Sequence, residues 1–438
     1  MKPIRFDWKH SRIVPKDVKK IGRRLLPEIN AMKEALTKDY EDDRASINLC
    51  SDQLGLYRVM RLIREKKKVR PRYVVVVGIG GSNLGTIAIQ EAVLGQLHNQ
   101  TSEGTKVLYA DTVDPDSIQS IISIIKPLLK KRKKIIINGI SKSGGTTETI
   151  ANFEILVNLL KKHRKDFHKH VVVTTGQDSN YWNLSLKKAF SVLSIPEKVG
   201  GRYSVFSPVG LFPLGLVGVN IKELLKGACL MRKKCLNENV LQNPAALSAI
   251  LIYLHHKKGK HIQDLFLFSK DLESIGKWYR QLIGESIGKE KNRKGKIVHE
   301  GITPTVSIGS TDLHSMAQLD LGGPYDKFST IVSLNHEKKD LKVPEIPAYD
   351  HLVKHIQGKH LHGIMNAILQ GVKIAYVKDR RPFTEVILPD KTAGSIGQFL
   401  QMKMMEMMYL GFLLKVNPFD QPNVENYKLE TKKILARG

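Results

Sequence analysis

The chain alternates between short apolar runs rich in Val and Ile and longer stretches with helical spacing. Tyr73 to Gly78, Val107 to Ala110, Lys134 to Asn138 and Val171 to Thr175 form a first series of such runs. Runs this short and this uniformly apolar suit strands buried on both faces, and the helical stretches between them predict βαβ crossovers onto a parallel sheet. A second series follows at Asp264 to Phe268, Thr303 to Ile308, Ser329 to Leu334 and Thr384 to Leu388. Two open α/β domains are therefore expected, over 51–205 and 246–400. Helical stretches from Ser207 to Leu236 and from Pro244 to His256 fall between the two series, so 206–245 reads as a connector bridging the sheets. Residues 1–50 read as an N-terminal helical arm. Late helices, from about Thr392 to Leu414 and Glu425 to Arg437, are expected to close over the second sheet, with 401–438 as the C-terminal helical part.

Composition narrows the class. A length of 438 residues exceeds what one compact core usually holds, and a hydrophobic share of 42% suits a globular chain. Cys50, Cys229 and Cys235 are an odd count with no CxxC pair, so neither a disulfide framework nor a cysteine zinc site is readable. The N-terminal MKPIRFDWKH carries charges where a signal peptide needs an apolar core, which predicts a cytoplasmic protein. Ile396 to Val416 is the most apolar late stretch. Gln401, Lys403, Glu406 and Lys415 interrupt it, so it predicts a buried helix, not a bilayer span, and no membrane partner.

The net charge of +28 raises nucleic acids and anionic small molecules together as partners. Its basic runs, such as Arg64 to Arg72, Lys130 to Lys134 and Lys289 to Lys296, are spread over several element ends, without one basic arm or an interleaved aromatic series. Solvated faces are expected, with no specific nucleic-acid site.

Six segments carry candidate chemistry. GIGGSNLG, Gly78 to Gly85, leaves a strand and opens a helix, where backbone amides attract an anion and glycine lets it approach. A dinucleotide fingerprint would need glycine at Asn83. SKSGGTTET, Ser141 to Thr149, sets several hydroxyls and paired glycines at a helix start, a phosphate cradle lacking the Walker A lysine position. VGGRYSVFSPVGL, Val199 to Leu211, places Arg202 before a helix start marked by Ser207 and Pro208, a permanent cation for developing negative charge. In WYRQLIGESIGKE, Gln281 and Glu285 are four apart and share a helix face, and apolar neighbours are expected to raise the proton affinity of Glu285. SIGSTDLHSMAQ puts His314 just past a strand, and NPFDQPNVENYK puts Gln421 and Lys428 on either side of a proline turn; both are candidate proton handlers' settings. His360 and His362 form an HxH pair that reads as surface histidines, since no carboxylate completes a metal site.

In this order the six segments resemble the glucose-6-phosphate isomerase family, over roughly residues 50 to 430. The resemblance implies two flavodoxin-like sugar-isomerase (SIS) domains, each a parallel sheet flanked by helices, and isomerisation of hexose 6-phosphates without a metal or organic cofactor. It implies phosphate binding by Ser141, Ser143 and Thr146 with backbone help from Lys142, and Ser82 near the sugar. Glu285 matches the base that moves a proton between C1 and C2, Arg202 the cation beside the enediolate, and Gln281 and Gln421 sugar-binding glutamines. His314 and Lys428 match the groups that assist ring opening, with the histidine supplied by the partner of a homodimer. Two other readings remain open on the sequence: a non-catalytic phosphosugar-binding regulator, and a basic nucleic-acid-binding protein motivated by charge alone.

Overall fold

The computed structural model describes residues 1–337 and 339–437. Its strands are β1 (Arg5–Asp7), β2 (Tyr73–Val77), β3 (Lys106–Ala110), β4 (Ile135–Ser141), β5 (Val171–Gly176), β6 (Ser191–Ile195), β7 (Ile262–Leu267), β8 (Lys289–Lys291), β9 (Ile297–Glu300), β10 (Thr303–Ile308), β11 (Lys327–Leu334) and β12 (Phe383–Leu388). The first sheet runs β3-β2-β4-β5-β6 and is parallel throughout. The chain starts in the middle, at β2, steps out to β3 and then reverses through β4, which is the flavodoxin-like order. The second sheet runs β1-β12-β11-β7-β10, and its parallel strands repeat that order: β7 first, β10 to one side, β11 and β12 to the other. Two α/β halves of one design result.

The second sheet is not purely parallel, and the N-terminal arm is not purely helical. Strand β1 pairs antiparallel with β12, with Phe6 opposite Val386. Three residues are too few to register as a periodic pattern, so Arg-Phe-Asp gives no signal beside the helices that follow it. Without the hydrogen bonds of β1, β12 would be an open edge. Strands β8 and β9 form a separate antiparallel hairpin, and β6 closes one side of the first sheet.

A single large core joins the halves. Val74, Val76 and Ile136 from the first sheet belong to the same buried cluster as Leu265, Leu267, Val332 and Val386 from the second. Between them lies the helix Ala393–Leu414, buried on almost every face, packed against the helices Ile221–Lys234, Pro244–His256 and Glu273–Ile287. It crosses residue 400 without a break, so the chain has no boundary there. Its two charged residues are matched: Lys403 Nζ donates to Glu406 Oε2 at 2.7 Å, and Tyr279 Oη donates to Glu406 Oε1 at 2.9 Å. Unpaired, either charge would be costly in a site without solvent. The last helix, Val424–Leu435, does not close over the second sheet: none of its residues is buried. Among the described residues no helix is long and apolar enough to cross a membrane.

Candidate active site

In the first sheet the topological switch lies between β2 and β4, where crossovers leave in opposite directions and a crevice opens at the carboxyl ends of the strands. Both glycine-bearing loops start there. Residues 78–82 follow β2, and the Ser141 loop follows β4 directly beside it, with Val77 opposite Gly139 in the ladder.

The Ser141 loop is organised around an uncapped helix. Thr146 is the N-cap residue of Thr147–His163, but its hydroxyl does not cap the helix. It meets Ser141 Oγ at 2.9 Å instead. The first-turn N–H groups of that helix therefore have no side-chain acceptor, and they carry the positive end of the helix dipole. Ser143 Oγ accepts from the Gly145 N–H at 3.4 Å, and Gly144 sits at φ +73°, a left-handed position that turns the loop back over the helix start. The Lys142 carbonyl accepts from Gly176, tying the loop to the end of β5, and burial lowers the Lys142 ammonium pKa. A loop rich in free amides and hydroxyls can hold an oxyanion.

The Gly78 turn bridges this loop to the rest of the site. A Cβ at Gly81 would stand 2.2 Å from the Gly201 carbonyl carbon and 2.6 Å from the Arg202 nitrogen, so only glycine lets the two turns touch. Gly80, at φ +56°, abuts Gln281 Nε2, and Ser82 lies half-buried in the same short 3-10 turn. The turn thus contacts both the Arg202 segment and the helix Glu273–Ile287.

Arg202 is the hub. It is 1% exposed and uses every donor of its guanidinium. Nε donates to Ser286 Oγ at 2.8 Å; Nη1 donates to Glu285 Oε2 at 3.1 Å and to Gln421 Oε1 at 2.8 Å; Nη2 donates to the Pro418 and Asp420 carbonyls at 2.6 and 3.1 Å. The other oxygen of Glu285 accepts from Gln281 Nε2 at 3.0 Å, along the helix at the i, i+4 spacing. Glu285 keeps 33% of its side chain exposed. Its neighbours are a cation and an amide, not the apolar surroundings expected from sequence, because Arg202 arrives from a separate segment that helix periodicity does not reveal.

Of the sequence-derived residues, Arg202, Gln281, Glu285 and Gln421 form one bonded cluster, and Ser141, Ser143 and Thr146 form the neighbouring loop. His314 and Lys428 are not bonded to either among the described residues. His314 is exposed at the end of a 3-10 turn after β10. Lys428 is half-buried, and its Nζ pairs with Glu425 Oε1 at 2.7 Å. His360 and His362 are also on the surface, where Asp340, a carboxylate absent from the sequence reading, meets the His360 ring and the His362 N–H.

Two contributors escaped the sequence reading. Ser286 receives Arg202 Nε and contacts Tyr203 Oη at 2.9 Å. Lys289, almost fully buried, donates to the Glu285 carbonyl at 2.6 Å and to the Asp420 carbonyl at 2.5 Å, and pairs with Asp420 Oδ1 at 3.2 Å. It clamps the 418–421 turn onto the Glu285 helix. Burial, and then the Arg202 charge, lower its pKa. Its position one turn past Glu285, inside GESIGK, was the available signal.

The family model of phosphoglucose isomerase matches residues 65–437. The chain belongs to the phosphoglucose isomerase family. Relatives within reach of this family include the glucose-6-phosphate isomerase of Carboxydothermus hydrogenoformans, 36% identical over 387 residues, covering 87% of this chain and 81% of the relative. A probable glucose-6-phosphate isomerase of Methanococcus maripaludis is 35% identical over 353 residues, covering 80% and 76%. Among solved structures, a hypothetical protein from Thermus thermophilus superposes with a TM-score of 0.86 at 29% identity, covering 99% of this chain and 100% of that one. A glucose-6-phosphate isomerase from Chlamydia trachomatis has the same fold, with a TM-score of 0.82 at 19% identity, covering 99% and 88%.

Proposed function

We propose that this chain interconverts glucose 6-phosphate and fructose 6-phosphate, the aldose–ketose step shared by glycolysis and gluconeogenesis, through ring opening and a cis-enediolate. One observation carries the reading: the Glu285 carboxylate is held between Gln281 and the buried Arg202, beside two oxyanion-binding turns at the sheet's switch point.

The substrate phosphate sits in the Ser141, Ser143 and Thr146 loop, taking the free amides of the helix start with backbone help from Lys142, and Ser82 reaches the sugar. That grip fixes the reacting carbons relative to Glu285. His314 and Lys428 open the ring, one delivering a proton to the ring oxygen and the other taking the anomeric hydroxyl proton. Glu285 removes the C2 proton, the C1 carbonyl becomes an enediolate oxygen, and the guanidinium of Arg202 stabilises that charge. Return of the proton to C1 gives the ketose. Gln281 and Gln421 position both the catalytic groups and the sugar hydroxyls.

His314 completes the site of a second copy. Its exposure fits a homodimer with shared active sites. The exposed apolar side chains Leu341, Tyr349, Leu352, Val353 and Leu361 in 341–361, with Tyr427, Leu429 and Leu435 on the last helix, supply surface for such an interface. The three free thiols suit a cytoplasmic location.

The test is direct. Purified protein, treated with a chelator, is given fructose 6-phosphate, and glucose 6-phosphate is measured enzymatically. Steady formation of glucose 6-phosphate is expected. Binding of fructose 6-phosphate with no product would replace the reading with that of a phosphosugar-binding regulator.

A further inference from the structure

Two of the three cysteines, 179 positions apart in sequence, meet in space: Cys229 Sγ lies 2.7 Å from Cys50 Sγ. The two belong to different elements. Cys50 is in the 3-10 segment Ala45–Ser51, and Cys229 is on the helix Ile221–Lys234. Arg232, one turn beyond Cys229, grips the segment on both sides of Cys50, donating to the Ile47 carbonyl and to Ser51 Oγ, each at 2.9 Å. That double grip holds the thiols in register, so their proximity does not depend on a mobile side chain. Neither thiol takes part in the site described above.

We propose that Cys50 and Cys229 are a built oxidation site that closes to an intramolecular disulfide under peroxide. Cys229 is the attacking thiol. It is half-buried, whereas Cys50 is buried. Its hydrogen bond with Cys50, and then the Arg232 guanidinium, bring its pKa down to about 7, while the bond to Cys229 and burial push Cys50 up. The thiolate is the reactive form. The Cys229 thiolate attacks a peroxide oxygen, the O–O bond breaks, and protonation of the leaving hydroxide gives Cys229 sulfenic acid and water. Cys50 then attacks the sulfenic sulfur, forming the S–S bond and releasing a second water. The balance is two thiols and one hydrogen peroxide to one disulfide and two waters, with sulfur oxidised and peroxide reduced. Cys235 is an internal control. It is fully buried, and burial pushes its thiol up to about 12.

Trypsin places the three cysteines on separate peptides, 45–58, 227–232 and 235–257. The full-length protein is treated with hydrogen peroxide in steps, alkylated under denaturing conditions, digested and analysed by mass spectrometry beside a dithiothreitol-reduced sample. The expected result is a cross-linked 45–58/227–232 pair, lighter by two hydrogens than its parts and lost on reduction, with Cys235 alkylated throughout. In Cys229→Ser no cross-link forms and Cys50 stays alkylatable, which separates the site from general thiol damage. Cross-links to Cys235, cross-links only between chains on a non-reducing gel, or Cys229 passing to sulfinic acid while Cys50 remains a thiol would each overturn the proposal.

Discussion

At the scale of single residues, the site depends on one fully engaged guanidinium. Lysine in place of Arg202 keeps the charge but offers three donors from one nitrogen, so it cannot reach Ser286, Glu285, Gln421 and two backbone carbonyls together. Arg202→Lys is expected to lower stability by roughly 3 kcal/mol, read in denaturant melts, because buried acceptors lose their donors. It should also lower kcat by roughly 10²-fold. An unchanged melt would mean the hub is not the structural centre described here. This residue also shows where sequence reading stops. Glu285 and Gln281 were legible as a helical pair, but nothing in helix periodicity tells that Arg202, some eighty residues upstream, supplies the partner. The motif resemblance pointed to Arg202 as a cation, and the structure adds that Ser286 and Lys289, within the same motif, hold it and the 418–421 turn.

Among elements, close approach of backbones is the critical feature. Gly81→Ala would force apart the 78–82 turn and the Arg202 segment, because the added Cβ meets main chain that cannot move aside. It is expected to cost roughly 2 kcal/mol or more and to reduce turnover, as an overpacked contact does. Gly145→Ala serves as the control in thermal melts: a Cβ there meets nothing within 4 Å, and the melting temperature should stay near that of the wild type. Strands of the first sheet were readable where three or more Val or Ile residues run together, as in YVVVV and KIIIN, and those of the second from shorter mixed apolar runs such as DLFLF. Strand β6, with Ser at two of its five positions, and β1, three residues long, were not. Their pairing comes from neighbours, and local pattern carries little of it. The last helix was legible as a helix, but its exposure was not, since an amphipathic pattern does not say whether its partner belongs to the same chain.

Across the whole molecule, acid sensitivity and assembly follow from groups far from the site. Burial lowers the pKa of His170 and of His255 to about 4. Between about 4 and the unfolded value near 6.5 the unfolded chain binds more protons than the folded one, so stability falls as pH drops through that window. Asp264 acts in the opposite sense: burial raises it to about 6, and its contribution, present at low pH, is lost as pH rises through that value. Burial raises Asp320 in the same sense, but the two histidines carry the largest shifts, so a net fall in melting temperature is predicted from pH 6.5 to 4. His255→Gln, able to keep a donor for the Ser11 carbonyl, should flatten the slope and reduce the stability lost over that window by roughly 1 to 3 kcal/mol. An unchanged slope would show that His255 titrates normally. Assembly has its own test. If His314 serves the partner's site, mixed subunits of Glu285→Gln and His314→Ala, each nearly inactive alone, should regain up to about a quarter of wild-type activity by random pairing in a twofold dimer. No recovery, with mixed dimers confirmed by mass, would place His314 in its own subunit's site or outside catalysis.

The central claim, that the Glu285 carboxylate moves the proton between the first two carbons of the sugar, is tested most directly by proton NMR in heavy water. Wild-type and Glu285→Gln proteins are each incubated with fructose 6-phosphate, and solvent deuterium at C2 of the glucose 6-phosphate formed is followed over time. The expected result is exchange and interconversion by the wild type, and a loss of both by roughly 10³-fold or more in the variant, with sugar-phosphate binding retained. Exchange at C2 at the wild-type rate in Glu285→Gln would contradict the account.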